Sequence, residues 1–187
     1  MVMRKRQQAP GELEHVRAFV NTADLEDGTD ELDSPAALGQ WLVTRRLAGG
    51  KLRASRGDLA RAHTLREALR AILLAHNGEG EAASAAAVLD EVARRARLRL
   101  RFDERGDGVL EPEAGGVDGA LGTIVAIIAE AIAQGTWGRL KACRWHTCEW
   151  AFYDHTKNHS GAWCAMEVCG NRAKAKAYRE RRAGVQG

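Results

Sequence analysis

The sequence predicts a mainly α-helical domain with one small β-hairpin, followed by a small C-terminal module of two short strands and a helix. Three observations support this prediction. Apolar residues recur at helical spacing through most of the first 136 residues, with a single segment of strand-like alternation. All four cysteines lie within the last 45 residues of the 187-residue chain. Hydrophobic residues make up 45% of the chain, which is enough to form a core and excludes a disordered protein.

The first two helices are separated by an acidic loop. The first helix is predicted around four apolar residues that fall near one face: Leu13, Val16, Phe19 and Val20. Residues 21–33 are acidic and rich in turn-forming residues, so they are predicted to form a loop. Ser34 suits the N-cap of the second helix and Pro35 its first position. Gly49 and Gly50 are predicted to end that helix.

Three further helices and one hairpin complete the first domain. Helical periodicity predicts a third helix over residues 56–76, with His63 and His76 on its surface, and an Ala-rich fourth helix over residues 81–96. The period then changes to two, because three apolar residues alternate with three arginines: Leu98, Leu100 and Phe102 with Arg97, Arg99 and Arg101. The turn at Asp107 and Gly108 predicts a hairpin. Residues 117–134 are apolar almost all round and predict the central buried helix.

Charge is distributed unevenly between three predicted regions: a disordered segment 1–10, a helical domain 11–136 and a cysteine module 137–187. Residues 139–187 contain ten Lys or Arg and four Asp or Glu, whereas the rest of the chain has 18 basic and 21 acidic residues. This asymmetry predicts a polyanionic partner for the C-terminal region. The basic N-terminus lacks the apolar stretch of a signal peptide, and no apolar run approaches the ~18–20 residues of a membrane span. A soluble, cytoplasmic protein with no membrane partner is therefore expected.

The four cysteines have the spacing of a metal site. Cys143 and Cys148 form one Cys-x4-Cys pair, and Cys164 and Cys169 form a second after fifteen intervening residues. Cytosolic thiols are kept reduced, so two chelating pairs predict a tetrahedral structural zinc site with these four ligands. His146 lies inside the first pair and is an alternative ligand, although four thiolates already complete the tetrahedron. A closed site leaves no open position for catalysis, so the chain is not expected to be an enzyme.

The C-terminal segment carries a specific motif over about residues 137–182. The motif consists of Phe152, Tyr153, Asp154, Asn158, Trp163, Cys164 and the tetrapeptide Cys169, Gly170, Asn171, Arg172. It resembles the CGNR zinc finger, and the resemblance implies four cysteine ligands and a DNA-binding role in bacterial transcription. The preceding region resembles the ABATE domain of stress-induced transcription regulators, through Phe19, Val20, Asn21, Thr22, Leu38, Trp41 and Leu42. Gly161 and Ala162 stand where members of the zinc finger family often carry two arginines, which predicts that a basic contact in the loop is missing.

Seven residues of the predicted C-terminal helix are candidates for contact with nucleic acid. Asn171 and Arg172 are of types that pair bidentately with adenine and guanine, although their place beside Cys169 equally suits support of the zinc site or a helix cap. The other five are candidates for phosphate contact: Lys174, Lys176, Arg179, Arg181 and Arg182.

The leading functional hypothesis is a bacterial transcription regulator whose zinc module binds duplex DNA, while the helical domain senses a signal or mediates association. A homodimer is a candidate assembly, because one short helix reads only a few base pairs. The alternative is a zinc-stabilised interaction module that docks on a protein of the transcription machinery without reading DNA sequence. RNA binding is a weaker variant of the first hypothesis. No phosphate loop, nucleophile elbow or helical metal-binding histidine pair is present in the sequence to suggest an enzyme.

Overall fold

The computed structural model of the protein describes residues 8–184. In this part of the chain, six α-helices and three two-stranded antiparallel sheets follow one another. The helices are α1 (Leu13–Val20), α2 (Pro35–Thr44), α3 (Arg56–His76), α4 (Ala85–Ala96), α5 (Gly116–Ala133) and α6 (Asn171–Gly184). The strands are β1 (Ala23–Asp24), β2 (Thr29–Asp30), β3 (Leu98–Phe102), β4 (Gly108–Pro112), β5 (Leu140–Ala142) and β6 (Ala151–Tyr153). The mainly α fold with a small hairpin and a C-terminal ββα-like module is therefore confirmed.

The predicted disordered segment 1–10 falls mostly on residues 1–7, which lie outside the described residues. Ala9, which belongs to the same segment, is buried, and its backbone N–H donates a hydrogen bond of 2.8 Å to the Glu14 carboxylate. The chain is therefore anchored from Ala9 onward. The acidic loop predicted over residues 21–33 contains the short β1–β2 hairpin, in which Ala23 pairs with Asp30.

The start of α2 follows the predicted capping chemistry, but its end does not. The Ser34 hydroxyl accepts a hydrogen bond of 3.2 Å from the Ala37 N–H, so Ser34 caps α2 as expected. The prediction that α2 continues to Gly49 is wrong, because the helix ends at Thr44. Arg46 adopts a left-handed conformation with φ of 58°, which stops the helix and directs Leu47 into the core. The residue type does not indicate that Arg46 adopts a left-handed backbone conformation.

The central helix of the fold is α5, as the sequence predicts. Ile124, Ile127 and Ile128 are buried in a core that also contains side chains of α1, α2, α3 and α4. By length and composition α5 is apolar enough to cross a membrane, which the sequence analysis did not anticipate. However, 56% of the helix is buried inside the fold, as in the core helix of a soluble protein. Ile132, near its C-terminal end, remains exposed.

The C-terminal strand pair shares this core. Four residues of β5 and β6 belong to the same buried cluster as the helices: Leu140, Ala142, Ala151 and Tyr153. Strand β5 lies against α3 and β6 lies against α1. The cysteine module is consequently fixed to the helical domain by a common hydrophobic core. Truncation of the fully buried Leu140 to alanine would leave a cavity in this shared core.

Candidate metal centre

The four cysteines converge as the spacing predicts. Their Sγ atoms all lie within 4.8 Å of one another, with 3.6 Å between Cys148 and Cys164 and 3.7 Å between Cys164 and Cys169. A disulfide bond is only about 2.05 Å long, so these separations are too long for disulfides. Four sulfurs around a zinc ion, each at about 2.3 Å, would be separated by about 3.8 Å. The observed cluster therefore has the dimensions of a tetrahedral zinc site.

Two chelating turns present these ligands. Cys143 directly follows β5, and its N–H donates to the Trp150 carbonyl, which continues the pairing between β5 and β6. Cys169 lies in a π-helical turn, Met166–Gly170, that leads directly into α6. A Cβ at Gly170 would approach the Met166 sulfur to 2.2 Å, so glycine at this position leaves room for the Met166 side chain. The ligand Cys169 lies two positions before Asn171, the first residue of α6, so the metal site fixes the start of this helix.

The electrostatics of the cluster fit a divalent cation. Hydrogen bonds from the Cys148 and Cys164 thiols, and from the backbone N–H groups of Trp145 and Cys164, lower the pKa of Cys143. Hydrogen bonding to Cys143 is the main cause that raises the pKa of Cys148 and Cys164, and burial together with the negative charge of Cys143 raises the pKa of Cys169. Four thiolates at this spacing require a positive charge between them. The donor set is that of a structural zinc site, in which zinc supplies folding free energy and leaves no open coordination position.

His146 is not part of this sulfur cluster. Its side chain is exposed and its ring lies 5.3 Å from the ring of Trp145, centroid to centroid. Trp145, Trp150 and Trp163 are half-buried and pack against the cysteines. The tryptophans therefore form the apolar wall of the metal site.

A buried ion pair organises the loop between the two chelating turns. The Lys141 ammonium donates to the Asp154 carboxylate at 2.8 Å and to the carbonyls of His159 and Gly161. Lys141 is only 5% exposed and Asp154 only 2%. Burial opposes ionisation of Asp154, but hydrogen bonds from Lys141, from Thr156 and from the Gly161 N–H hold its pKa well below the usual value. This arrangement explains the aspartate of the Phe-Tyr-Asp motif, which fixes the loop.

Gly161, one of the two departures from the arginines of the family, has a structural role here. A Cβ at this position would lie 2.8 Å from a carboxylate oxygen of Asp154. The adjacent Ala162 carbonyl accepts hydrogen bonds from the Asn77 side chain and the Arg144 N–H. Gly161 and Ala162 therefore allow the loop to pack closely and provide no exposed basic contact.

Side chains of the helical domain bind the backbone of the cysteine module. The Asn21 amide donates to the Ala151 carbonyl at 2.9 Å and accepts from the Ala151 N–H at 2.7 Å, so it completes the hydrogen bonding of β6. Asn77, at the end of α3, donates to the carbonyl of Ala142 at 2.7 Å. The residues that form these hydrogen bonds are all buried beside the shared core: Asn21, Asn77, Ala142 and Ala151. The resemblance to the ABATE domain includes Asn21, but its pairing with β6 was not predicted.

Two buried arginines of α3 also join distant segments, and the sequence analysis missed both. Arg70 donates to the carbonyl of Glu149 in the first chelating turn and to that of Val20 at the end of α1. Arg66 forms two hydrogen bonds with the Asp30 carboxylate, at 2.7 and 2.8 Å. One feature of the sequence indicates their burial. Arg66 and Arg70 are four positions apart, on the same face of α3 as the apolar Leu69 and Leu73.

His76 is half-buried, so its prediction as a surface residue is wrong, whereas the side chain of His63 is 36% exposed and lies at the surface. His76 donates from Nδ1 to the Leu140 carbonyl at 2.9 Å and contacts the Trp137 ring edge-on. Burial is the main cause that lowers the pKa of His76. His63 donates from Nε2 to the Leu32 carbonyl at 2.9 Å. Each histidine therefore satisfies a backbone carbonyl of another segment.

The seven candidate nucleic-acid residues all lie on α6 and are exposed. Asn171 donates to the Glu167 carbonyl at 3.0 Å, which stabilises the turn before the helix. Arg172 forms an ion pair with Glu26 of the β1–β2 turn. Ala173 and Ala177, one turn apart, are half-buried and mark the inner side of the helix. The remaining five cations surround the rest of its surface: Lys174, Lys176, Arg179, Arg181 and Arg182.

A closed four-cysteine site that anchors a basic helix defines the C-terminal module as a zinc finger. The family model of the CGNR zinc finger matches residues 139–182. The family model ABATE, described as "Putative stress-induced transcription regulator", matches residues 16–135. The chain therefore belongs to the ABATE family and carries a CGNR zinc finger. No curated protein matches the sequence.

Proposed function

We propose that the protein is a cytoplasmic bacterial transcription regulator that binds duplex DNA through α6. The observation that carries this proposal is an exposed helix with six cations and one acidic residue, held at its first turn by the zinc site. Such a helix neutralises phosphates and enters a major groove when its angle is fixed. The cysteine site acts as structural support, because four cysteine ligands leave zinc no open position for water or substrate.

The helix has one side suited to DNA. Arg179 and Arg182 lie on the side opposite the half-buried Ala173 and Ala177, and Lys176 lies beside them. In contrast, Lys174 and Arg181 share the flank that faces away from Lys176. Phosphate contact is therefore expected mainly from Lys176, Arg179 and Arg182. Because Arg172 is paired with Glu26, it is available to DNA only when that ion pair opens.

A second candidate function is docking on a protein of the transcription machinery. Three large apolar side chains, Met166, Val168 and Tyr178, are exposed around the start and middle of α6. Phosphate binding has no need of exposed apolar groups, whereas a protein interface commonly combines aromatic residues with arginine. These side chains favour docking as the alternative. The two functions differ in one measurable property, because a docking module has no preference for duplex sequence.

Selection from a random duplex DNA pool tests the proposal. The zinc-loaded full chain is compared with two variants of equal charge, Arg179→Gln/Arg182→Gln and Lys174→Gln/Arg181→Gln. The full chain and the second variant are expected to enrich the same motif, while the first variant enriches none. Chelation of zinc is expected to abolish enrichment, and restored zinc to recover it. Absence of any enriched motif with the zinc-loaded full chain would contradict DNA reading and favour protein docking.

A further inference from the structure

One segment of the helical domain carries positive charge that no carboxylate compensates. No acidic residue occurs between Asp33 and Asp58, and we call residues 34–57 the basic segment. Its cations are Arg45, Arg46, Lys51, Arg53 and Arg56. Among the described contacts none of these cations forms an ion pair, although Arg45 lies over the ring of Trp41. Of the two flanking acids, Asp58 is already engaged by Ser55 and Arg61.

Elsewhere in the helical domain nearly all of the described arginines are paired with carboxylates. Arg95 pairs with Asp118 at 3.3 Å and Arg99 pairs with Glu113 at 2.9 Å, for example. Outside the basic segment, Arg105 is the one cation of residues 8–136 without an ion pair, and it lies in a turn with three acidic residues. Uncompensated positive charge in this domain is therefore concentrated in the basic segment.

Two of these cations line a cleft between α2 and residues 50–54, which we call the α2 cleft. Its volume is about 740 Å³, within the range of small-molecule pockets. Lys51 and Arg53 line it, both are exposed, and none of its lining residues is acidic. Most of its other lining residues are apolar or small, among them Pro35, Ala36, Val43, Leu52 and Ala54. The α2 cleft therefore combines apolar walls with two unpaired positive charges.

Close packing fixes the two walls of the α2 cleft relative to each other. Gly39 of α2 is buried, and a Cβ there would lie 2.6 Å from the Leu52 carbonyl oxygen. The helix and the facing segment therefore meet backbone to backbone at this point. Leu52 and Ala54 pack against the main core, in which Leu38 and Leu42 anchor α2. The cleft is consequently formed without a ligand, as most small-molecule sites are.

We propose that the α2 cleft binds a small organic anion, whose apolar body lies against Val43 and Leu52 and whose carboxylate or phosphate group pairs with Lys51 and Arg53. Lysine and arginine form charge-assisted hydrogen bonds with both kinds of head group. A nucleic-acid backbone would use the cations but not the apolar walls, so the lining favours a small molecule. The cleft contains none of the residues of the zinc site or α6. Its test needs no DNA and is therefore independent of the proposed function.

Nuclear magnetic resonance titration of the isotope-labelled, zinc-loaded full chain with octanoate and with octyl phosphate tests this proposal. At least one of the two probes is expected to bind with a Kd of about 1 mM or tighter and to shift the backbone amide signals of residues 51–54. The tighter of the two identifies the preferred head group. Octanol lacks the charge and inorganic phosphate lacks the apolar body, so each is expected to bind about tenfold more weakly or less.

Two double variants of equal charge separate the α2 cleft from the rest of the basic segment. Lys51→Gln/Arg53→Gln removes both cations of the cleft and is expected to weaken binding of the tighter probe about tenfold. Arg46→Gln/Arg56→Gln removes two exposed cations that do not line the cleft and is expected to weaken it less than about threefold. Ala36→Glu places a carboxylate in the cleft at the first turn of α2, where acidic residues favour a helix. It is expected to abolish binding while the helical circular dichroism stays unchanged.

Three results would overturn the proposal. The first is the absence of any shift at residues 51–54 with either probe at about 10 mM. The second is equal affinity for octanol and for the tighter probe, and the third is an equal loss of probe binding in the two double variants. If neither probe binds and both double variants weaken duplex DNA binding equally, the basic segment is a surface for DNA phosphates instead of a small-molecule site.

Discussion

Replacement of Asn21 by alanine tests how the zinc finger is joined to the helical domain. The amide of Asn21 satisfies both the N–H and the carbonyl of Ala151, at 2.7 and 2.9 Å, and all of these groups are buried. Asn21→Ala leaves two buried backbone groups of β6 without a partner. Each such group costs about 1–3 kcal/mol, so the expected loss of unfolding free energy for the two groups is about 2–6 kcal/mol. This loss exceeds the effect of most surface substitutions several-fold.

The assay is urea unfolding of the zinc-loaded full chain with Trp41→Phe as background, followed by circular dichroism for the helices and by tryptophan fluorescence, since the other four tryptophans lie within residues 137–163. The two signals are expected to change together, because the shared core couples the two regions. Asn158→Ala, which changes an exposed asparagine of the same zinc finger, serves as the control and is expected to change stability by less than about 0.5 kcal/mol. If Asn21→Ala is no less stable than that control, or if only fluorescence shifts, the two regions are not coupled as described.

Three other predictions concern individual charged groups. Lys141→Met is expected to cost about 3–5 kcal/mol in urea unfolding, because Asp154 remains buried without its cation, and adding Asp154→Asn is expected to recover part of this loss. A double variant no more stable than Lys141→Met would contradict this reasoning. His76 has a lowered pKa in the folded protein, so its contribution to stability is present above about pH 6.5 and is lost as pH falls below that value. The difference in unfolding free energy between the wild type and His76→Gln is therefore expected to shrink below pH 6.5, and a constant difference would refute it. Glu26→Gln releases Arg172, so affinity for duplex DNA is expected to rise and the salt dependence to steepen by about 0.9, whereas unchanged binding titrations would show that Arg172 makes no phosphate contact.

The sequence was most informative where one residue type has a specific geometric or chemical use. Ser34 and Pro35 predicted the start of α2, and the four cysteines predicted the metal cluster and its ligand set. These features depend on local backbone geometry or on a donor type that has few other uses. Sequence period was similarly sufficient for β3, where arginines alternate with apolar residues.

Features that depend on tertiary contacts were not predictable from the same rules. Arg66 and Arg70 resemble surface cations in the sequence, yet they are buried because they bind Asp30 and backbone carbonyls from distant segments. His76 is similar, since its partner is the Leu140 carbonyl, 64 positions along the chain. The end of α2 was also missed, because Arg46 adopts a conformation that is usual for glycine. For the two arginines and His76 the deciding contact joins residues that no local pattern relates, whereas the end of α2 depends on a backbone conformation that the residue type does not indicate.

The salt dependence of duplex DNA binding tests the central claim that the zinc-held α6 binds DNA through one face. Fluorescence anisotropy gives the affinity of the zinc-loaded full chain as a function of salt for the wild type and the two double variants. The account predicts that Arg179→Gln/Arg182→Gln lowers the magnitude of the logarithmic slope by about 1.8, since each phosphate contact contributes about 0.9. Lys174→Gln/Arg181→Gln, which removes the same charge from the flank, is expected to lower it less. Equal effects of the two variants, or wild-type binding that does not depend on salt, would contradict the account.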